Sequence, residues 1–196
     1  MEYRKNDIVT LEIVDCGTDG EGIGKADGFT VFVKDAVIGD TVTAKIMKAK
    51  KNYGYGRLME ILKPSPYRVE PICPSARQCG GCQLQAVSYE EQKAFKEKKL
   101  RGHLERIGGF KELPMEPLIG MDEPYHYRNK AQFPVGRNKE GRIVTGFYAG
   151  RTHAIIENRD CALGIPQNKE VLDRVIAHME KYNIAPYDEM TGKGLV

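Results

Sequence analysis

The chain has 196 residues, and 30 Lys+Arg against 27 Asp+Glu give a formal net charge of +3. With 41% hydrophobic and 29% charged residues it has a globular composition, one or two domains at roughly 150 residues each, and wholesale disorder is excluded. No apolar run approaches the roughly 20 residues of a membrane-spanning helix, and the charged start Met1-Glu-Tyr-Arg-Lys-Asn-Asp lacks the apolar part of a secretory signal.

Residues 1–62 read as all-β. Ile8, Leu11, Ile13 and Val14 supply the apolar positions of a first strand, and a glycine-rich turn follows from Gly17 to Gly24. Phe29-Thr-Val-Phe-Val33 is an aromatic and β-branched run, hence a second strand. Ile38-Gly39-Asp40 turns the chain into a third, in which Val42, Ala44 and Ile46 alternate with Thr41, Thr43 and Lys45. Tyr55 to Leu62 reads as a fourth, and short strands at this spacing suggest a small barrel. Gly20, Gly22 and Gly24 do not make a dinucleotide fingerprint, because a strand and not a helix follows them. Gly192-Lys193 lacks the Ser or Thr of a phosphate loop.

Pro64-Ser-Pro66 cannot continue a central strand and marks a domain boundary. Residues 88–107 read as a helix, with Ser88 and Glu91 as a capping box and Gly108-Gly109 as its end. Tyr89, Leu100, Leu104 and Ile107 lie near one face of it. The other side carries Lys93, Lys96, Lys98, Lys99, Arg101 and Arg106, offset by Glu90, Glu91, Glu97 and Glu105, which reads as a solvated face. After a loop with Pro114, Pro117 and Pro124, Tyr125–Val135 and Arg142–Tyr148 read as strands joined by a turn at 137–141, and His153–Glu157 as a third strand. A second helix starts near Pro166, at a first helical position, with Val171, Leu172, Val175, Ile176 and Met179 as its apolar stripe.

Five cysteines, an odd number without a secretory signal, argue for reduced thiols in a cytoplasmic protein. Cys73, Cys79 and Cys82 lie within ten residues in a C-x5-C-x2-C pattern, and Gly80-Gly81 lets the backbone bring sulfurs and amides to one side. Thiolates bind borderline and soft metals, and a complete shell wants four ligands. Cys161 is the fourth choice, since it lies on the same side of the boundary as the triplet and Cys16 does not. Three close ligands with one distant one favour an iron–sulfur cluster, with zinc as the alternative.

Two basic stretches point to nucleic acid. Lys45, Lys48, Lys50, Lys51 and Arg57 are interleaved with Tyr53 and Tyr55, the mix of phosphate-binding cations and stacking platforms that small barrels use on single strands. Arg128, Lys130 and Gln132 share a parity, so on a strand they would face one way, two toward phosphates and Gln132 toward a base edge.

An all-β first domain, then Cys73-x5-Cys79-Gly-Gly-Cys82, then Tyr127-Arg-Asn-Lys130, then a lone Cys161 resembles the RNA uracil-5-methyltransferase family. The resemblance implies an α+β protein: an OB-like TRAM barrel over residues 1–63 that engages RNA, followed over 67–196 by an α/β central domain with antiparallel strands. It implies a [4Fe–4S] cluster on Cys73, Cys79, Cys82 and Cys161. It also implies methylation of uracil C5 from S-adenosylmethionine, in ribosomal rather than transfer RNA, by a monomer that engages neither membrane nor DNA. Members of that family are about twice this long and carry the methyl-donor site, the nucleophilic Cys and the base in a further domain. The chain is therefore expected to be an amino-terminal portion that holds no catalytic residue and does not methylate by itself. A stand-alone RNA-binding module and a zinc-stabilised structural protein are the competing readings.

Overall fold

Inward apolar side chains or glycines at every second position build five strands in the first part of the chain. The computed structural model describes residues 3–196, and its strands are β1 (Ile8–Cys16), β2 (Gly22–Ala26), β3 (Phe29–Lys34), β4 (Thr41–Ala49) and β5 (Tyr53–Lys63). They close into a barrel in the order β1-β2-β3-β5-β4, with β4 paired back to β1. All pairings are antiparallel except β3 with β5, which is parallel. Val9, Leu11, Ile13, Val31, Val33, Val42, Ala44 and Ile46 fill the interior.

Two expectations for this region are corrected. Ile8 and Val14 are 67% and 56% exposed, and Val9 takes the inward place. Once Leu11 and Ile13 face the core, the period of two assigns residue 9 to the same side and residues 8 and 14 to the other. The stretch from Gly17 to Gly24 is not one long turn. The turn ends at Gly20, whose φ is +84°, and Gly22 and Gly24 already belong to β2 and face inward. They lie where β1 passes closest: a Cβ at Gly24 would collide with the Glu12 carbonyl oxygen and with Leu11. Gly56 serves the same purpose on β5, since a Cβ there would sit 3.1 Å from Val31 and 3.2 Å from Ala44. Inward glycines keep the barrel narrow and leave the alternate positions of β5 facing out.

The turn before β4 carries a fully buried carboxylate, Asp40. It accepts hydrogen bonds from the backbone N–H of Val37 (2.7 Å) and of Ser65 (2.8 Å). The Arg68 guanidinium donates to the same carboxylate from Nε at 3.1 Å and Nη2 at 2.5 Å. Burial pushes its pKa up, but the Arg68 and backbone donors outweigh that and hold the carboxyl below its usual range. The segment after β5 is thus tied to the barrel through one acidic side chain.

By Cα proximity the chain divides into two units: residues up to Glu70 with Gln83–Gly120, and Pro71–Cys82 with Met121–Val196. The first unit includes α1 (Tyr89–Arg106), whose cap Ser88 accepts a hydrogen bond from the Glu91 N–H at 3.4 Å. The apolar face expected on α1 is not a core face. No residue of the helix is buried, and Leu100 and Ile107 are exposed.

The second unit contains β6 (Val135–Arg137), β7 (Ile143–Tyr148) and β8 (Ile155–Glu157), antiparallel in that order, and α2 (Gln167–Lys181). Of the strand expected over Tyr125–Val135, only its last residue enters a strand. His126 has φ +54° and its ring Nδ1 lies 2.9 Å from the Gly164 carbonyl oxygen, so the backbone leaves the extended region there. Pro166 stands at the N-cap of α2 and not at its first helical position. Ile176 and Met179 are buried against Ile143 and Val135, whereas Val171 and Val175 face solvent. The helical period turns residue 171 about 100° and residue 175 about 70° away from the middle of the stripe formed by 172, 176 and 179.

Candidate nucleic-acid interface and cysteine site

Outward positions of β3 and β5 bring three rings together. Phe32 and Tyr55 are register partners in the parallel pair, and their ring centroids are 5.6 Å apart. Tyr53 stands 5.8 Å from both Phe32 and Tyr55. The Lys50 ammonium lies 5.4 Å from the Tyr53 ring centroid, a cation–π distance. Lys48 is the β4 partner of Tyr55, and Lys51 is exposed at the turn between β4 and β5.

Next to the rings runs a row of cations. Arg57 on β5 is the register partner of Lys34 on β3 and of Lys45 on β4. Like charges opposite one another across strands repel, as Arg57 and Lys45 do here. All seven residues expected on this stretch, Lys45, Lys48, Lys50, Lys51, Tyr53, Tyr55 and Arg57, fall on β4, β5 and their turn. Phe32 and Lys34 were missed. Their signal was the alternation with the buried Val31 and Val33, which makes residues 32 and 34 outward partners of the β5 tyrosines.

The second basic stretch does not form the expected one-faced strand. Arg128, Lys130 and Gln132 lie in irregular backbone: Arg128 forms an isolated bridge with Gly164 and is half-buried, while Lys130 and Gln132 are exposed.

The four predicted metal ligands all lie in the second unit, and Cys16 in the first. Cys73 and Cys79 are buried; Cys82 and Cys161 are half-buried. The loop is pinned to the end of β7: Cys79 bridges to Ala149, and the Gly80 N–H donates to the Tyr148 carbonyl at 2.9 Å. Any Cβ on Gly80 would meet that same carbonyl oxygen at 2.9 Å. The Gly81 N–H points at Cys79 Sγ from 3.3 Å, and Asn158, just past β8, points Nδ2 at Cys73 Sγ from 3.5 Å. Beside Cys161, the buried Nδ2 of Asn168 has no hydrogen-bond partner. A Cβ on Gly164 would lie 3.0 Å from that nitrogen and 3.8 Å from Cys161 Cβ.

N–H groups aimed at sulfur, together with an orphaned amide, suit a thiolate-held group, whose ligands accept such bonds. In geometry the shell is not closed. Among the described residues no three His, Cys, Asp or Glu side chains are arranged to hold a metal ion. The donors therefore fit in chemical type, without a preformed cage. Burial pushes the Cys16 thiol up to about 11, against the pull of Lys99, so it is a poor thiolate near neutrality. No helix is long and apolar enough to cross a membrane among the described residues.

Residues 4–59 match the TRAM domain family. Across 97% of its length the chain is 43% identical to a protein of Halalkalibacterium halodurans named as an uncharacterised RNA methyltransferase. Across 99% it is 44% identical to a like-named protein of Clostridium tetani. It spans 42% of the length of each of these relatives. Among solved structures it shares its fold, at a TM-score of 0.64 and 24% identity, with Pyrococcus abyssi tRNA (uracil-54, C5)-methyltransferase, crystallised with S-adenosyl-L-homocysteine. That match covers 94% of this chain and 40% of the other. Residues 4–59 therefore form a TRAM domain, and over nearly its whole length the chain is similar to part of proteins named RNA methyltransferases.

Proposed function

We propose that residues 1–63 are the RNA-gripping domain, and residues 67–196 the [4Fe–4S]-bearing domain, of an S-adenosylmethionine-dependent RNA (uracil-C5) methyltransferase acting on ribosomal RNA. The observation that carries this reading is the Phe32, Tyr53 and Tyr55 ring cluster beside the Lys34, Arg57 and Lys45 row. Rings stack on any base and the cations take the backbone, which is how a small barrel holds a single strand. Proteins named RNA methyltransferases among its relatives give the reaction class, and the uracil and ribosomal assignments follow the sequence resemblance.

Cys73, Cys79, Cys82 and Cys161 would hold the cluster. When bound, such a group supplies a cross-link between the loop and the segment after β8. The chain's own part is to present four thiolates and to donate from Gly81 and Asn158 to two of them. None of these cysteines is then available as a nucleophile, and burial holds Cys16 in its thiol form.

Titration with a fluorescent, uridine-containing single strand tests the reading. The chain should bind it with an affinity that falls steeply with salt, prefer ribosomal over transfer RNA segments, and transfer no methyl group from S-adenosylmethionine. No RNA binding at low salt refutes the reading; a preference for transfer RNA redirects the substrate. For the cluster, protein purified without oxygen should contain iron and acid-labile sulfide. Cys79→Ser should lose the iron and destabilise the second unit. Zinc without sulfide would select the zinc-stabilised alternative.

A further inference from the structure

We infer that α1 carries a second RNA contact, a basic stripe that continues the path of a strand leaving the barrel; this rests on the RNA reading above. Lys96, Lys99, His103 and Arg106 are spaced three, four and three residues apart, so they form one stripe on the helix. It extends about 15 Å, at 1.5 Å per residue. The acids of α1 are elsewhere: Glu90 pairs with Lys93 at 2.8 Å, and Glu105 with Arg101 at 3.9 Å. Among the described residues no carboxylate lies within ion-pair distance of Lys96, Lys99, His103 or Arg106. A helix face that is merely solvated mixes both signs at these spacings; this one carries a single sign.

Its position gives the occupant. Lys98 Nζ lies 3.7 Å from Asp15 Oδ1, and Lys99 acts electrostatically on the Cys16 thiol, so this part of α1 sits at the end of β1. The next residue, Gly17, abuts Phe32: a Cβ there would lie 3.7 Å from that ring. At Lys99 the stripe therefore passes the barrel rim next to Phe32 of the ring cluster. Only a polyanion matches it in charge and continues from the rings. The partner is the sugar–phosphate backbone of the single strand whose bases stack on Phe32, Tyr53 and Tyr55.

The test compares two oligonucleotides, one of about 4 nucleotides and one of about 16, the limits of what a single barrel of this type covers. The triple variant Lys96→Ala/Lys99→Ala/Arg106→Ala keeps good helix formers at each site, and circular dichroism checks its helix. For the longer strand, the slope of log affinity against log salt should flatten by about 2, at about 0.7 per lost phosphate contact. Affinity for the shorter strand should not change, and the charge-preserving pair Lys96→Arg/Lys99→Arg should bind both as the original does. Unchanged affinity and slope for the longer strand, or equal loss for both, overturns the inference. If the unsubstituted chain binds neither oligonucleotide, the RNA reading itself fails.

Discussion

Asp40→Asn should lower the stability of the barrel by about 3–5 kcal/mol, the range for removing one partner of a buried ion pair. Asp40 is fully buried, and four donors converge on it from the turn before β4, from Ser65 and from Arg68. An amide keeps the shape but removes the charge, leaving Arg68 mostly buried without a counter-ion. The loss should depend on pH. Burial alone would raise the Asp40 pKa, but Arg68 and the two backbone N–H groups bring the folded value below the ordinary one. The stabilisation is therefore complete above the unfolded-state pKa of about 3.9 and disappears as pH falls through the lower folded value. Urea denaturation at a series of pH values should show that acid-dependent component in the original protein. It should be missing from Asp40→Asn, which would already be weak at pH 7. Equal stability of the two proteins at pH 7 would show that the ion pair contributes nothing.

Tyr53→Ala combined with Tyr55→Ala should weaken single-strand RNA binding by about a hundredfold or more, at about 1–3 kcal/mol per stacked base. Both tyrosines face outward from β5, and the inward neighbours Gly54 and Gly56 are untouched, so the barrel interior is unchanged. The salt slope should hardly move, because Lys34, Lys45 and Arg57 remain. Tyr53→Phe with Tyr55→Phe should bind nearly as the original, since stacking needs the ring and not the hydroxyl. Loss of the salt slope together with the affinity would point to a distorted barrel; full affinity without the rings would leave the contact purely ionic.

Much of the barrel could be read from residues alone. Val42, Ala44 and Ile46 against Thr41, Thr43 and Lys45 show both period and face, and Tyr53, Tyr55 and Arg57 stand out as aromatic and basic residues at alternate positions. Strand β2 was hidden because its inward positions are Gly22 and Gly24, glycines required by close packing, and glycine reads as a turn. Ile8 and Val14 misled because composition does not reveal phase: both are apolar and both point outward. The segment from Tyr125 has strand-like residues, but a left-handed backbone at His126 and a contact 38 residues away decide its path. Asp40 looked like an ordinary turn residue, since its partners Ser65 and Arg68 are 25 and 28 positions downstream. The cysteine spacing was visible at once, while the amides of Asn158 and Asn168 gain meaning only when the fold brings them to Cys73 and Cys161.

The single parallel pairing in the barrel has a bearing on how binding competence arises. Phe32 meets Tyr53 and Tyr55 only through β3 alongside β5, and the chain must cross the whole of β4 before that edge can zip. The partners on this seam are 23 positions apart, against 29 to 37 for those of β1 and β4. The ring cluster therefore exists only where β3 and β5 are paired. A single strand stacked on those rings would favour the paired form by mass action.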